Sequence, residues 1–169
     1  MTCARVGDIV LAALAIQVAL AAESDLTASQ RLLLAAGTNV NTPALDGITP
    51  LMAAAYSGEA AIVEELLARG ADAAAADRLG KTAMVYAAGQ GHAAVVRALL
   101  SHGTDVNAVY RNELTALMWA AGFGRDEALR ALLEAGARTD LRDNRGKTAA
   151  QIAREAGYAT MAELLARPR

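Results

Sequence analysis

Cysteine occurs once, at Cys3, which excludes an intrachain disulfide and any cysteine-based metal cage. Histidine occurs twice and aromatic residues make up only 4% of the chain, too few for a sheet built on Tyr, Phe and β-branched side chains. Neither charge sign dominates: 18 acidic and 16 basic side chains leave a net charge of −2. Nucleic-acid-binding domains concentrate a basic excess on one face, so no nucleic-acid partner is expected. A long hydrophobic run is also missing. The longest, Ile9 to Ala22, has 14 residues, short of the ~20 needed to span a bilayer as a mature helix.

What the chain has in quantity is alanine and leucine, within an apolar fraction of 54%. Such a mixture favours helices packed closely through small side chains. Its distribution is periodic. Thr49, Thr82, Thr115 and Thr148 stand 33 residues apart, as do Gly58, Gly91, Gly124 and Gly157, and Gly37, Gly70, Gly103 and Gly136. Leu33-Leu34, Leu66-Leu67, Leu99-Leu100 and Leu132-Leu133 keep the same step, and so do Ala54-Ala55, Ala87-Ala88 and Ala120-Ala121. A fixed period of this size marks an array of stacked units, none of which buries its apolar face alone.

Each unit reads as helix, corner, helix and extended loop. Thr49 precedes "PLMAAAYSG" and is placed to cap a short inner helix, with Pro50 at the first helical position and Gly58 as its left-handed end. In "EAAIVEELLARG" the residues Ile62, Val63, Leu66 and Leu67 make one apolar stripe, leaving Glu64, Glu65 and Arg69 toward water. Gly70 closes this outer helix, and "ADAAAADRLG" leads on to the next threonine.

The text "DGITPLMAAAYSG" with "AIVEELLARGAD" resembles the ankyrin repeat family, as do "LGKTAMVYAAGQG" with "AVVRALLSHGTD" and "NELTALMWAAGFG" with "EALRALLEAGAR". A fourth match, "NRGKTAAQIAREAG", runs into a degraded outer helix ending near Arg167. The resemblance implies an all-α solenoid of stacked helix-turn-helix units with finger loops. Its expected divisions are a degenerate first repeat at 23–43, repeats at 44–76, 77–109 and 110–142, and a C-terminal capping repeat at 143–169. The family's usual histidine after Leu is replaced by Met52, Val85, Met118 and Gln151, so stability is expected to rest more on packing. Glu113 stands where the other units have glycine, which predicts a different turn in that finger.

The segment 1–22 has two readings. Ala21-Ala22 fall in register with Ala54-Ala55, as the inner helix of a capping repeat would require. Yet Arg5, the apolar run and Ala19-Leu20-Ala21 also form the pattern of a secretory signal peptide. Export to the periplasm or outside the cell is the expectation under the second reading, with an Ala- and Arg-rich usage that looks bacterial; a cytoplasmic location is expected under the first.

Convergent chemistry is hard to find. His92 and His102 sit on one outer helix, separated by roughly 15 Å of helix rise, and are read as a first-turn residue and a residue near the helix's negative pole. Gly89-Gln90-Gly91 and Gly122-Phe123-Gly124 lack the third glycine and the preceding strand of a dinucleotide loop. Asp72, Asp105 and Asp140 fall at or near one loop column and read as turn-makers. No serine has a histidine and an acid in prospect. The chain is therefore expected to be non-enzymatic, with no cofactor or metal.

In the ankyrin family the side formed by inner helices and finger tips is concave and is the usual contact surface for proteins. Carried onto this chain, the resemblance implies partner-binding roles for Asp46, Ile48, Tyr56, Arg78, Leu79, Lys81, Gln90, Arg111, Asn112, Leu114, Trp119, Phe123, Arg145 and Lys147; Leu45 belongs to the first of these finger tips. Arg or Lys on three successive fingers favours an acidic or mixed partner surface. Trp119 shares a column with Tyr86, and mutual packing of the two across adjacent repeats is expected; Phe123 is expected to be exposed. The alternative is a structural subunit whose retained apolar N-terminus pairs with another chain in an obligate complex.

Overall fold

The computed structural model describes residues 39–44 and 46–166. The apolar segment 1–22, the stretch 23–38, Leu45 and Arg167 lie outside the described residues, and with them both readings of the N-terminus.

Among the described residues eight α-helices form four antiparallel pairs: α1 (Pro50–Ser57) with α2 (Ala60–Ala68), α3 (Ala83–Gln90) with α4 (Ala93–Ser101), α5 (Ala116–Gly122) with α6 (Asp126–Glu134), and α7 (Ala149–Glu155) with α8 (Ala159–Ala166). The inner helices α1, α3, α5 and α7 pack in succession, as do the outer helices α2, α4 and α6. The result is an all-α solenoid two helix layers deep. A finger loop precedes each inner helix.

The small side chains set the layer spacing. Ala54, Ala55, Ala87, Ala88, Ala120 and Ala121 are fully buried between neighbouring inner helices, where a larger residue would push the axes apart. Ile62, Val63, Leu66, Val95, Val96, Leu99, Leu129 and Leu132 fill the seam between the layers. Leu67 is half-buried, packed on the rim of that core. Met52, Val85 and Met118, standing where the family places histidine, are all buried and contribute apolar contacts only. Gln151, in the same column, instead completes a capping box with Thr148.

Helix ends follow the residues that cap them. Thr49 and Thr115 accept from the backbone N–H of Met52 and Met118 at 3.3 Å. Thr82 has the same extended backbone, but its side chain forms no such bond. At Gly58, two demands coincide: φ is +80°, and a Cβ would lie 2.6 Å from the His92 ring. His92 begins the next outer helix, and its Nε2 lies 2.9 Å from the carbonyl oxygen of Tyr56, a contact that puts the ring proton on Nε2. One unit later Arg125 Nε donates to the Gly89 carbonyl at 3.0 Å. Thus each of these residues caps a free carbonyl at the end of the preceding unit's inner helix, a group the helix itself leaves unsatisfied.

The outer loops are tied by asparagines. Asn41 accepts from Asp72 N at 2.8 Å and donates to the Gly70 carbonyl at 3.1 Å, while Asn107 accepts from Arg138 N at 2.8 Å. Asp72 and Asp105 accept from the backbone two residues on, as turn-makers do. Asp140 differs, pairing with Arg138.

Candidate partner-binding face

Each finger is a short hairpin closed by backbone bonds at its base: Ala44 N to Ile48 O, Asp77 N to Lys81 O, Tyr110 N to Leu114 O and Asp143 N to Lys147 O, at 2.8–3.0 Å. In the second and fourth fingers a buried carboxylate organises the tip. Asp77 Oδ1 accepts from Leu79 N and Lys81 N at 2.8 Å, and its Oδ2 accepts from the Tyr86 hydroxyl at 2.6 Å. Asp143 accepts from Arg145 N and Lys147 N at 2.9 Å, and the Arg145 guanidinium reaches its Oδ2 at 2.6 Å. Burial raises both carboxyls, yet these donors and the nearby cations outweigh it and hold both below their ordinary value. The Tyr86 phenol is pushed up, by burial first and then by Asp77.

The third finger departs from this plan. Tyr110 takes the aspartate's column, and Glu113 replaces glycine. The tip forms a single 3₁₀ turn, Arg111–Glu113, with φ of 62° at Asn112 and 59° at Glu113. The turn predicted from Glu113 is therefore present, at the cost of two non-glycine residues in the left-handed region.

Along the inner helices the aromatic side chains form a strip. Tyr56 meets Tyr86 edge to face at 5.9 Å, and Trp119 stacks on Phe123 at 5.7 Å with planes 8° apart. The expected packing of Tyr86 directly on Trp119 is replaced by a lysine: Lys81 Nζ lies 5.5 Å from the Tyr86 ring centre and 5.3 Å from that of Trp119. Column register alone put the two rings side by side, but the finger delivers a cation between them, where both ring faces attract it. Tyr56 and Phe123 remain about half exposed, and Leu79 more so.

The residues expected to meet a partner separate into three groups. Tyr56, Leu79, Lys81, Arg111, Asn112, Trp119 and Phe123 gather around the strip and the second and third finger tips. Ile48 and Leu114 are half-buried and pack on the core, while Arg145 and Lys147 are engaged within their own unit, with Asp143 and Glu155 at 2.6 Å. Asp46 and Arg78 are exposed and joined through backbone, Arg78 N to Asp46 O at 3.4 Å, and Gln90 is half-buried at the end of α3. Sequence reasoning passed over Asp77 and Asp143; their signal was an Asp four residues before Lys in two of the four fingers.

A family model described as ankyrin repeats (3 copies) matches residues 18–110 and again 105–169. The chain belongs to the ankyrin repeat family. No curated protein matches it. Ankyrin repeats are generally protein–protein interaction modules, and the family is typically non-catalytic. Among the described residues of this ankyrin array, no helix is long and apolar enough to cross a membrane, and no group of three or more His, Cys, Asp or Glu is placed to hold a metal ion.

Proposed function

We propose that this ankyrin array docks one protein through the face made by its inner helices and second and third fingers. The observation that carries the proposal is the aromatic strip: Tyr56, Tyr86, Trp119 and Phe123 run across three successive inner helices, with Lys81 among them. Exposed apolar surface of this kind, on a rigid support, is what a partner covers. Tyr, Trp and Arg are also the residues that dominate binding energy at protein interfaces. The outer-helix surface, among the described residues, exposes one large aromatic side chain, Tyr158 at the start of α8, and no strip of them. Its other exposed side chains include charges such as Glu64, Arg97, Arg130 and Glu134, several held in solvent-exposed ion pairs.

The charge pattern supports an acidic or mixed partner surface. Arg78, Lys81 and Arg111 form no ion pair with a carboxylate among the described residues, whereas Arg145 and Lys147 do. Affinity capture from the native host tests the reading. Tyr56→Ala with Phe123→Ala should abolish capture of the partner, while Arg97→Ala with Glu134→Ala on the outer layer leaves it intact. Equal capture by both double variants sinks the proposal.

A further inference from the structure

Neighbouring finger tips are linked by one rung per pair, and the rungs are not alike. The first and second are joined by Arg78 N to Asp46 O, and the third and fourth by Asn144 N to Asn112 O. At the equivalent place between the second and third fingers the link is a side chain, Arg111 Nη1 to the Leu79 carbonyl at 3.4 Å. A pocket of about 180 Å³ opens there, lined by Leu79, Gly80, Lys81, Val85, Tyr110, Arg111, Asn112 and Trp119. Drug-sized ligands occupy roughly 300–1,000 Å³, so this pocket suits a single side chain.

Its chemistry is one-sided. Lys81 and Arg111 line it, and neither has a carboxylate within ion-pair distance among the described residues. Asp77 lies close enough to feel the Lys81 charge, but its oxygens are occupied by Leu79 N, Lys81 N and the Tyr86 hydroxyl. Asp46 and Glu113, on the adjoining tips, do not line the pocket. The indole N–H of Trp119, a donor only, is buried without a partner.

Repeat register shows what is missing. Lys147 is the equivalent of Lys81 one period pair later, and its Nζ meets Glu155 Oε2 at 2.6 Å. The residue in Glu155's column beside Lys81 is Gly89, which has no carboxylate to offer. We infer that a carboxylate from the docked protein takes that place: an Asp or Glu side chain of an extended acidic segment, held by Lys81 and Arg111 over Trp119. The inference rests on the docking face proposed above and names the chemistry that face selects.

Trp119 is the single tryptophan of the chain and lines this pocket, so tryptophan emission comes from its edge, and the paired peptides separate the carboxylate's effect from contact with the neighbouring strip. The full chain is titrated with a short extended peptide carrying glutamates between apolar residues, and with the same peptide carrying glutamines. The glutamate peptide should shift the Trp119 emission to saturation, and the glutamine peptide should not. Lys81→Gln and Arg111→Gln should each weaken binding about tenfold, as expected for loss of one charge-assisted hydrogen bond. Lys147→Gln, which removes a lysine already paired, should leave it unchanged. An equal response to the two peptides, an equal effect of Lys147→Gln, or saturation of the same signal by inorganic phosphate alone overturns the assignment. Should Lys81→Gln and Arg111→Gln retain native-partner capture that Tyr56→Ala with Phe123→Ala abolishes, the docking face stands and the carboxylate pocket falls.

Discussion

The Tyr86 hydroxyl donates to the carboxylate of Asp77 at 2.6 Å and so fastens an inner helix to the finger that precedes it. The bond joins residues nine apart, and the same carboxylate sets the finger tip through Leu79 N and Lys81 N. Tyr86→Phe removes one donor and leaves Asp77 Oδ2 short of a partner, a loss of ~1–2 kcal/mol for a charge-assisted bond that water partly replaces. Asp77 is held below its ordinary carboxylate value, so its contribution is complete above a pH of about 4, the unfolded value, and fades as pH falls through the lower folded value. Urea unfolding at neutral pH should therefore show the full difference between wild type and Tyr86→Phe, and the two curves should converge as the solution is acidified below that point. A gap that widens with acid would mean that the hydroxyl acts elsewhere.

Gly58 and Gly70 share a left-handed backbone, with φ of +80° and +83°, but differ in what surrounds them. A Cβ at Gly70 meets nothing within 4 Å, while one at Gly58 falls 2.6 Å from His92 Nδ1. Gly70→Ala should cost only the backbone term, ~1 kcal/mol. Gly58→Ala adds displacement of His92 from the Tyr56 carbonyl, and should cost ~2–3 kcal/mol in total once that carbonyl loses its cap. Thermal unfolding of both variants, with His92→Ala as the third, tests this: in the His92→Ala background the excess cost at Gly58 should vanish.

Arg78 and Arg145 both sit on finger tips, yet a charge reversal should separate them. Arg145 donates to Asp143, whose side chain is buried. Glutamate at 145 puts a repelling charge beside that buried carboxylate, and because the guanidinium itself is more than half exposed the cost is discounted to ~1–2 kcal/mol. Arg78→Glu, with no ion pair to lose, should stay within about 0.5 kcal/mol of wild type. Partner capture must therefore be read on Arg78→Glu, Lys81→Glu and Arg111→Glu, and Arg145→Glu belongs to the stability series.

The helical array was legible from the sequence because its cause is local and repeated. Threonine stands before the inner helix and glycine just beyond it in each of the four described units, and alanine and leucine pairs recur in three of them, so the columns of Thr49 and Gly58 announce the helix ends directly. The face was legible only as a set of positions. Whether a side chain at a finger column is free depends on what stands eight residues on: Lys147 has Glu155, and Lys81 has Gly89. Ile48 and Leu114 occupy a finger column but turn to the core, since the hairpin base lies against the inner helices and apolar side chains follow the dry side. Such contacts depend on which side chain stands at a second column that varies from unit to unit, so the period written along the chain does not display them.

Glu113 gives the last test, because it is the one finger position where the sequence substitutes a side chain for glycine. Its φ is 59°, and Asn112 beside it has φ of 62°. Asparagine tolerates this region several times more readily than most residues, so the strain falls chiefly on Glu113, at ~1–2 kcal/mol. Glycine removes the strain but gives back part of it through the greater freedom of the unfolded chain. Glu113→Gly should therefore raise stability by about 0.5–1 kcal/mol, the balance of those opposing terms, while Asn112→Gly gains less. Equilibrium urea unfolding resolves a difference of this size in the midpoint. A destabilised Glu113→Gly would show instead that the carboxylate holds the turn, and that the third finger's shape depends on a contact of that side chain.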